Sequence, residues 1–193
     1  QIFLGYVIGL DYKNPHLSPF DEFQRFKTHP SIKKYLEGGK RISYGARALI
    51  EGGLQSLPQM YMPGALLVGC DAGTLNMPKI KGSHTAMKSG MIAAETIIEH
   101  LKENKNLSIY EDKFKNSWVY KELYEARNVK PSFSWGLIIG IIFTGIDQIL
   151  FRGKLPFTLR HKHSDHETLK EAKEMPKIEY PKPDNIFTFD KTS

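Results

Sequence analysis

The chain has 193 residues, 40% of them hydrophobic, a formal charge of +6 and one cysteine, Cys70. That length can bury a substantial core, but a lone cysteine excludes an internal disulfide and cannot supply the four thiolates of an iron–sulfur cluster. The basic residues are scattered, with modest clusters at Lys33-Lys34, Lys79-Ile80-Lys81 and Arg160-His161-Lys162; without a stripe of Lys and Arg interleaved with aromatics, nucleic acid is excluded as a partner, and a membrane surface or an acidic protein fits the excess better.

Residues 2–10 alternate loosely and carry β-branched and aromatic side chains, which predicts a strand. That strand starts abruptly, with no initiator Met and no leader, and the expectation is the middle-to-late part of a longer polypeptide. Residues 12–19 hold two prolines and read as a loop. Ser18-Pro19 then sets the cap and first turn of a helix over 20–27, where Phe20, Phe23 and Phe26 point to core packing. His29-Pro30-Ser31 opens a second short helix, 32–36, closed by Gly38-Gly39. Residues 40–53 read as one or two strands leading into Gly52-Gly53. That pair is either a bare turn or backbone free to press against a planar ring.

The run 65–90 organises the chain. Ala65-Leu66-Leu67-Val68 is short and apolar, as in a core strand packed on both faces. Gly69-Cys70-Asp71-Ala72-Gly73 follows, where glycines allow a sharp turn and close approach to a ligand. Cys70 reads as a small buried hydrophobe rather than a redox thiol. After a proline-containing loop, Gly82-Ser83-His84-Thr85 enters a helix. Ala86, Gly90, Ala93, Ile97 and Leu101 fall on one face of it, with Met87, Met91, Ala94 and Ile98 beside them. A strand that ends in an acid, then a helix entered through small residues, suits a flavin: the acid accepts from hydroxyls and the helix amides meet an electron-rich edge. The same unit also serves as plain scaffold. No GxGxxG follows a strand anywhere in the chain.

Residues 104–106 are a polar break, and 108–127 read as one further helix that supports the same domain or, through Trp118 and Tyr120, docks a partner. Residues 131–146, PSFSWGLIIGIIFTGI, carry no charge, and Asp147 precedes Gln148-Ile149-Leu150-Phe151. The run is shorter than the ~20 apolar residues of a spanning helix. It is either a buried core helix or a segment lying in one leaflet, Trp135 at one boundary and Arg152, Lys154, Arg160 and Lys162 at the other. In the tail, His161, His163 and His166 with Asp165 and Glu167 read as a solvated helix start capped by Ser164 or Asp165 rather than as a zinc site. A turn-bearing linker over 178–185 leads to a strand pattern at 186–190.

GCDAGTLNMPKIKGSHTAMKSGMIAAE, together with GLDYKNPHLSPFDEFQRFKTHP, GARALIEGGLQSLPQ and EYPKPDNIFTFDK, resembles the electron-transfer flavoprotein–ubiquinone oxidoreductase family over nearly the whole chain. The resemblance implies a mixed α/β (α+β) fold: part of a Rossmann-like FAD-binding domain, a β-sheet ubiquinone-side domain and a monotopic membrane-inserting segment. It places the end of the ubiquinone-side domain at 1–58, the late part of the FAD domain at 59–130, a membrane-surface segment at 131–160, and at 161–193 a linker towards an iron–sulfur domain. It implies an oxidoreductase that takes electrons from the electron-transfer flavoprotein and passes them through FAD and a [4Fe-4S] cluster to ubiquinone. The setting is the matrix side of the mitochondrial inner membrane, or a bacterial inner membrane.

The cofactor contacts implied are Gly69, Asp71, Ala72, Gly82, Ser83, His84, Thr85 and Ala86, with Thr85 the foremost side-chain donor to the ring and His84 a weaker one. Gly52 and Gly53 lie on the quinone side. Phe133, Trp135, Leu137, Ile138, Ile139, Ile141, Ile142, Phe143, Ile149, Leu150 and Phe151 form the membrane segment. No metal ligand is expected within the chain. Two other readings stay open: an FAD-dependent geranylgeranyl-reductase-like or hydroxylase-type enzyme acting on a lipid, and a non-catalytic membrane-surface module.

Overall fold

A computed structural model describes residues 1–161 and 163–192, in two compact units, the first from residues 1–46 and 162–193 and the second from 47–161. In the first unit, α1 (Pro19–Lys27) begins where its cap dictates: Ser18 accepts from the Asp21 amide, proline occupies the first turn, acids follow it and Arg25 and Lys27 close the helix. The ring of His29 accepts from the Ser31 amide and opens α2 (Pro30–Leu36). The tail fastens to α1. Buried Glu22 bonds Arg25 at 2.6 Å and accepts the Tyr180 hydroxyl at 3.0 Å, and Gln24 accepts the Phe189 amide at 3.0 Å. Phe20, Phe23 and Phe26 are half-buried rather than sealed in a core, and Tyr6 packs on Phe23 and Phe26. The expected helix start at 164–165 is a single 3₁₀ turn, Asp165–Thr168, with Glu167 accepting the Ser164 amide.

The strands expected at 2–10, 40–53 and 186–190 are absent among the described residues. A strand persists only where its amides and carbonyls meet a ladder partner, and these stretches have none, so Ile2, Phe3, Val7, Ile42 and Tyr44 stand exposed. At 186–190 the competing interaction is visible. The Asp184 carboxylate accepts the amides of Ile186, Phe187 and Thr188 at 2.8–2.9 Å, which curls the segment into a turn. Those amides also hold the Asp184 carboxyl well below the usual carboxylate range.

The second unit holds the core. A small antiparallel hairpin, β1 (Tyr61–Met62) and β2 (Ala65–Leu66), is its whole sheet, paired Tyr61 with Leu66 and Met62 with Ala65. The expected doubly buried strand at 65–68 is therefore only an edge, with Leu67 and Val68 exposed. Helix α3 (Ser83–Glu103) packs with α4 (Ile109–Lys115) and α5 (Trp118–Ala126) around Met60, Ala72, Ile92, Ala93, Tyr110, Phe114, Val119 and Leu123. The single helix expected over 108–127 is two. Ser117 turns extended, with its hydroxyl on the Phe114 carbonyl, while the Asn116 amide takes the Asp112 carbonyl.

The buried face of α3 also differs from expectation. Thr85, Ser89, Ile92, Ala93 and Thr96 face inward, whereas Met87, Met91, Ile97, Ile98 and Leu101 are exposed. The hydroxyls on the buried face donate to Gly82, Ala86 and Ile92 carbonyls within the helix, so three polar side chains are buried at no hydrogen-bonding cost.

After α5 come α6 (Val129–Ser132), a 3₁₀ turn at Phe133–Trp135, α7 (Leu137–Gly145) and a π-helical turn, Ile146–Leu150. Gly136, at φ 100°, reverses the chain, and Gly140 lets α7 lie on Phe133, where a Cβ would come within 2.8 Å of the ring. Trp135 stands edge-on to Phe143 at 5.2 Å.

Candidate functional site

Turn Gly69–Ala72 rests on the start of α3. The Gly69 amide donates to the Ser89 hydroxyl at 2.8 Å, and a Cβ on Gly69 (φ 63°) would press on the Ala86 methyl at 3.2 Å. Ala72 beside it is fully buried in the core. Asp71 instead projects outward: its side chain is 79% exposed and meets Arg47 at 3.3 Å. Cys70 is half-buried and unpaired by any disulfide. Helix α3 starts at Gly82 without a side-chain cap. The backbone of the turn thus lies on a 21-residue helix whose first turn has no side-chain cap, while the Asp71 carboxylate points away from the turn towards Arg47. An uncapped first turn offers its amides to an electron-rich group.

The side chains expected to reach a ring are otherwise engaged. Thr85 is wholly buried, its hydroxyl donating to the Gly82 carbonyl at 2.8 Å, so it is no donor to a ligand. His84 stacks on Trp118 (5.7 Å, 9°) and bonds Glu122 at 2.9 Å. Ser83 is exposed. Glu122 is a residue the sequence reading missed, since thirty-eight positions separate it from His84. Burial raises its carboxyl, but hydrogen bonds from His84 and Asn76 and the nearby Lys79 outweigh that and leave it below the ordinary value. Sequence spacing carries no signal for such a cross-helix pair.

Gly52 and Gly53 stand at the head of a 3₁₀ turn, Gly53–Ser56. They border a crevice of about 10 Å³ walled by Leu75, Leu123 and Arg127, room for one water and no ring. The Gly52 carbonyl is bonded to the His161 ring at 2.8 Å.

The apolar element stands clear of the core. Leu137, Ile138, Ile139, Ile141, Ile142, Ile149, Leu150 and Phe151 are exposed, Ile138 by 74% and Ile149 by 78%, so this chain's own core does not bury them. Phe133 and Trp135 are exposed at its base, and Phe143, half-buried, links Trp135 to Phe157. Arg152, Lys154 and Arg160 follow as exposed cations, and Lys162 lies outside the described residues. Among the described residues no helix is long and apolar enough to cross a membrane.

Residues 1–49 match the family model described as "ETF-QO, ubiquinone-binding". The chain is 57% identical, over 97% of its length, to the mitochondrial electron transfer flavoprotein-ubiquinone oxidoreductase of Sus scrofa, 57% over 100% to that of Pseudomonas aeruginosa, and 50% over 98% to that of Arabidopsis thaliana. It covers 32%, 36% and 30% of those relatives, about one third of their length. The resemblance read from the four motif strings is borne out along the whole chain.

Proposed function

We propose that this chain is one part of an electron transfer flavoprotein–ubiquinone oxidoreductase, an enzyme that draws electrons from reduced electron transfer flavoprotein and delivers them to ubiquinone at a mitochondrial (matrix-side) or bacterial inner membrane. The observation that carries the reading is identity of 50–57% over 97–100% of the chain with proteins so named. The exposed apolar element agrees with it. Ubiquinone stays in the bilayer while its electron donor is soluble, so the enzyme between them has to sit at the interface.

In this reading the mixed helical second unit contributes to a Rossmann-like FAD domain, residues 1–58 to a ubiquinone-side sheet and 161–193 to a linker towards an iron–sulfur domain. The FAD contacts proposed are Asp71 and the start of α3. Asp71 would accept from ribityl hydroxyls, and the opening amides of α3, at Ser83 to Ala86, would face the flavin's electron-rich edge, with Gly69, Ala72 and Gly82 allowing close approach. Thr85 and His84 contribute backbone there, not side chains. When bound, the flavin supplies one-electron chemistry, and the protein's part is to hold it and set its potential. A [4Fe-4S] cluster draws its thiolates from elsewhere, because the chain has one cysteine. Residues 133–151 would seat the enzyme in one leaflet, with Gly52 and Gly53 on the quinone side.

The test is the full oxidoreductase with and without residues 133–151. The intact enzyme is expected to pellet with membranes and to reduce ubiquinone with electrons from the flavoprotein; the deleted enzyme is expected to be soluble without detergent. A deleted enzyme that still pellets would remove this segment as the anchor. An intact enzyme that binds no flavin would remove the redox reading.

A further inference from the structure

Arg127 is 2% exposed, and all five of its N–H groups are spent. Nε donates to the Thr158 hydroxyl at 2.9 Å; one terminal nitrogen takes the Tyr124 and Gly153 carbonyls at 2.7 and 2.6 Å; the other takes those of Leu155 and Phe157 at 2.5 and 3.1 Å. The Tyr124 ring covers its face at 3.7 Å. Four of these acceptors lie in one short strap, 153–158, which leaves the apolar element and returns to the core.

Neighbours reinforce the same strap. Asn128 donates to the Phe157 carbonyl and accepts the Leu159 amide, while Gln55 bridges the Arg127 and Leu159 carbonyls. Gly153, at φ 69°, donates to the Asp147 carbonyl and lies so close to Glu125 that a Cβ would run into its carbonyl. The guanidinium meets no carboxylate in this nest. It is a five-way connector of four backbone carbonyls and the Thr158 hydroxyl, a task for which lysine has too few donors.

We propose that Arg127 is the positioning residue of the apolar element: by clasping strap 153–158 to the end of α5, it fixes the direction in which 137–151 project towards lipid. The proposal rests on the membrane reading above, and its test separates the two. In the full oxidoreductase, Arg127→Met is compared with Arg127→Lys and with Gly153→Ala, which displaces the strap while leaving the arginine in place. One arm needs no lipid. Arg152 and Lys154 are exposed trypsin sites in or beside the strap, and cleavage there requires local opening. Arg127→Met and Gly153→Ala are expected to be cut on the order of tenfold faster, with FAD content unchanged, and Arg127→Lys is expected not to rescue. The other arm is quenching of Trp135 emission by phosphatidylcholine vesicles carrying brominated chains, taken as the difference from Trp135→Phe. It is expected to fall by about half in both disrupted variants as the element loses its fixed angle.

Wild-type cleavage rates in Arg127→Met overturn the clasp, whatever lipid does. Full rescue by lysine overturns the five-donor argument. Faster cleavage with undiminished quenching overturns the positioning role. If the wild type itself is not quenched, the membrane reading falls, and the cleavage arm still decides whether Arg127 holds the strap.

Discussion

At the scale of single residues, the informative contrast is between Asp71 and Glu122. Asp71 is a carboxylate left largely open, with one loose partner, so its replacement tests ligand binding more than stability. Asp71→Ala in the full oxidoreductase is expected to lower FAD occupancy severalfold while the melting temperature of the stripped protein moves little; unchanged absorbance of bound flavin would remove Asp71 from the contacts. Glu122 is the opposite, a mostly covered carboxylate joining Asn76, Lys79 and His84. Its folded pKa is lowered below 4.5, so its contribution is present above 4.5 and disappears as pH falls through the lowered value. Glu122→Gln should therefore destabilise by about 1 kcal/mol near neutrality, and by progressively less below pH 4.5, in thermal melts across that range. Asp71 was legible because an acid after a glycine-rich turn is a local signal. Glu122 was not, because its meaning comes from a contact between α5 and the head of α3.

At the scale of elements, the starts of α1 and α2 lie where their caps and prolines place them. Ser18-Pro19 and His29-Pro30 start α1 and α2, and the glycine-led entry at 82 starts α3, since caps need only neighbouring residues. The faces and partners of elements were less legible. On α3 the greasier stripe is exposed and the hydroxyl-bearing stripe is buried, because threonine and serine satisfy themselves on the preceding turn and are slim enough for Gly69 and α4 to approach. Periodicity ranks hydrophobicity and is blind to that. The break inside 108–127 escaped for a similar reason: Asn116 and Ser117 are ordinary helix residues until their side chains bond backward. The strand patterns at 2–10 and 40–53 had suitable residues but no ladder partner, and composition cannot supply one. The apolar element was legible as a composition, and in this chain its side chains stand exposed.

At the scale of the whole chain, apolar surface among the described residues lies bare on the extended stretches of the first unit, the outer stripe of α3 and the projecting element at 137–151. The chain purified by itself is accordingly expected to enhance the emission of a hydrophobic dye such as ANS strongly, and the full oxidoreductase in detergent to do so weakly. Equal, weak enhancement by both would mean that the chain covers these surfaces unaided. The projecting element has a further consequence for biosynthesis. Bare isoleucines seek each other at a rate that grows with the square of protein concentration, whereas capture by lipid grows with the area of bilayer on offer. On the proposed seating of 133–151 in lipid, a cell that raises expression without enlarging its membranes should therefore recover inclusion bodies in place of extra enzyme, and yield should follow phospholipid supply before it follows transcript level.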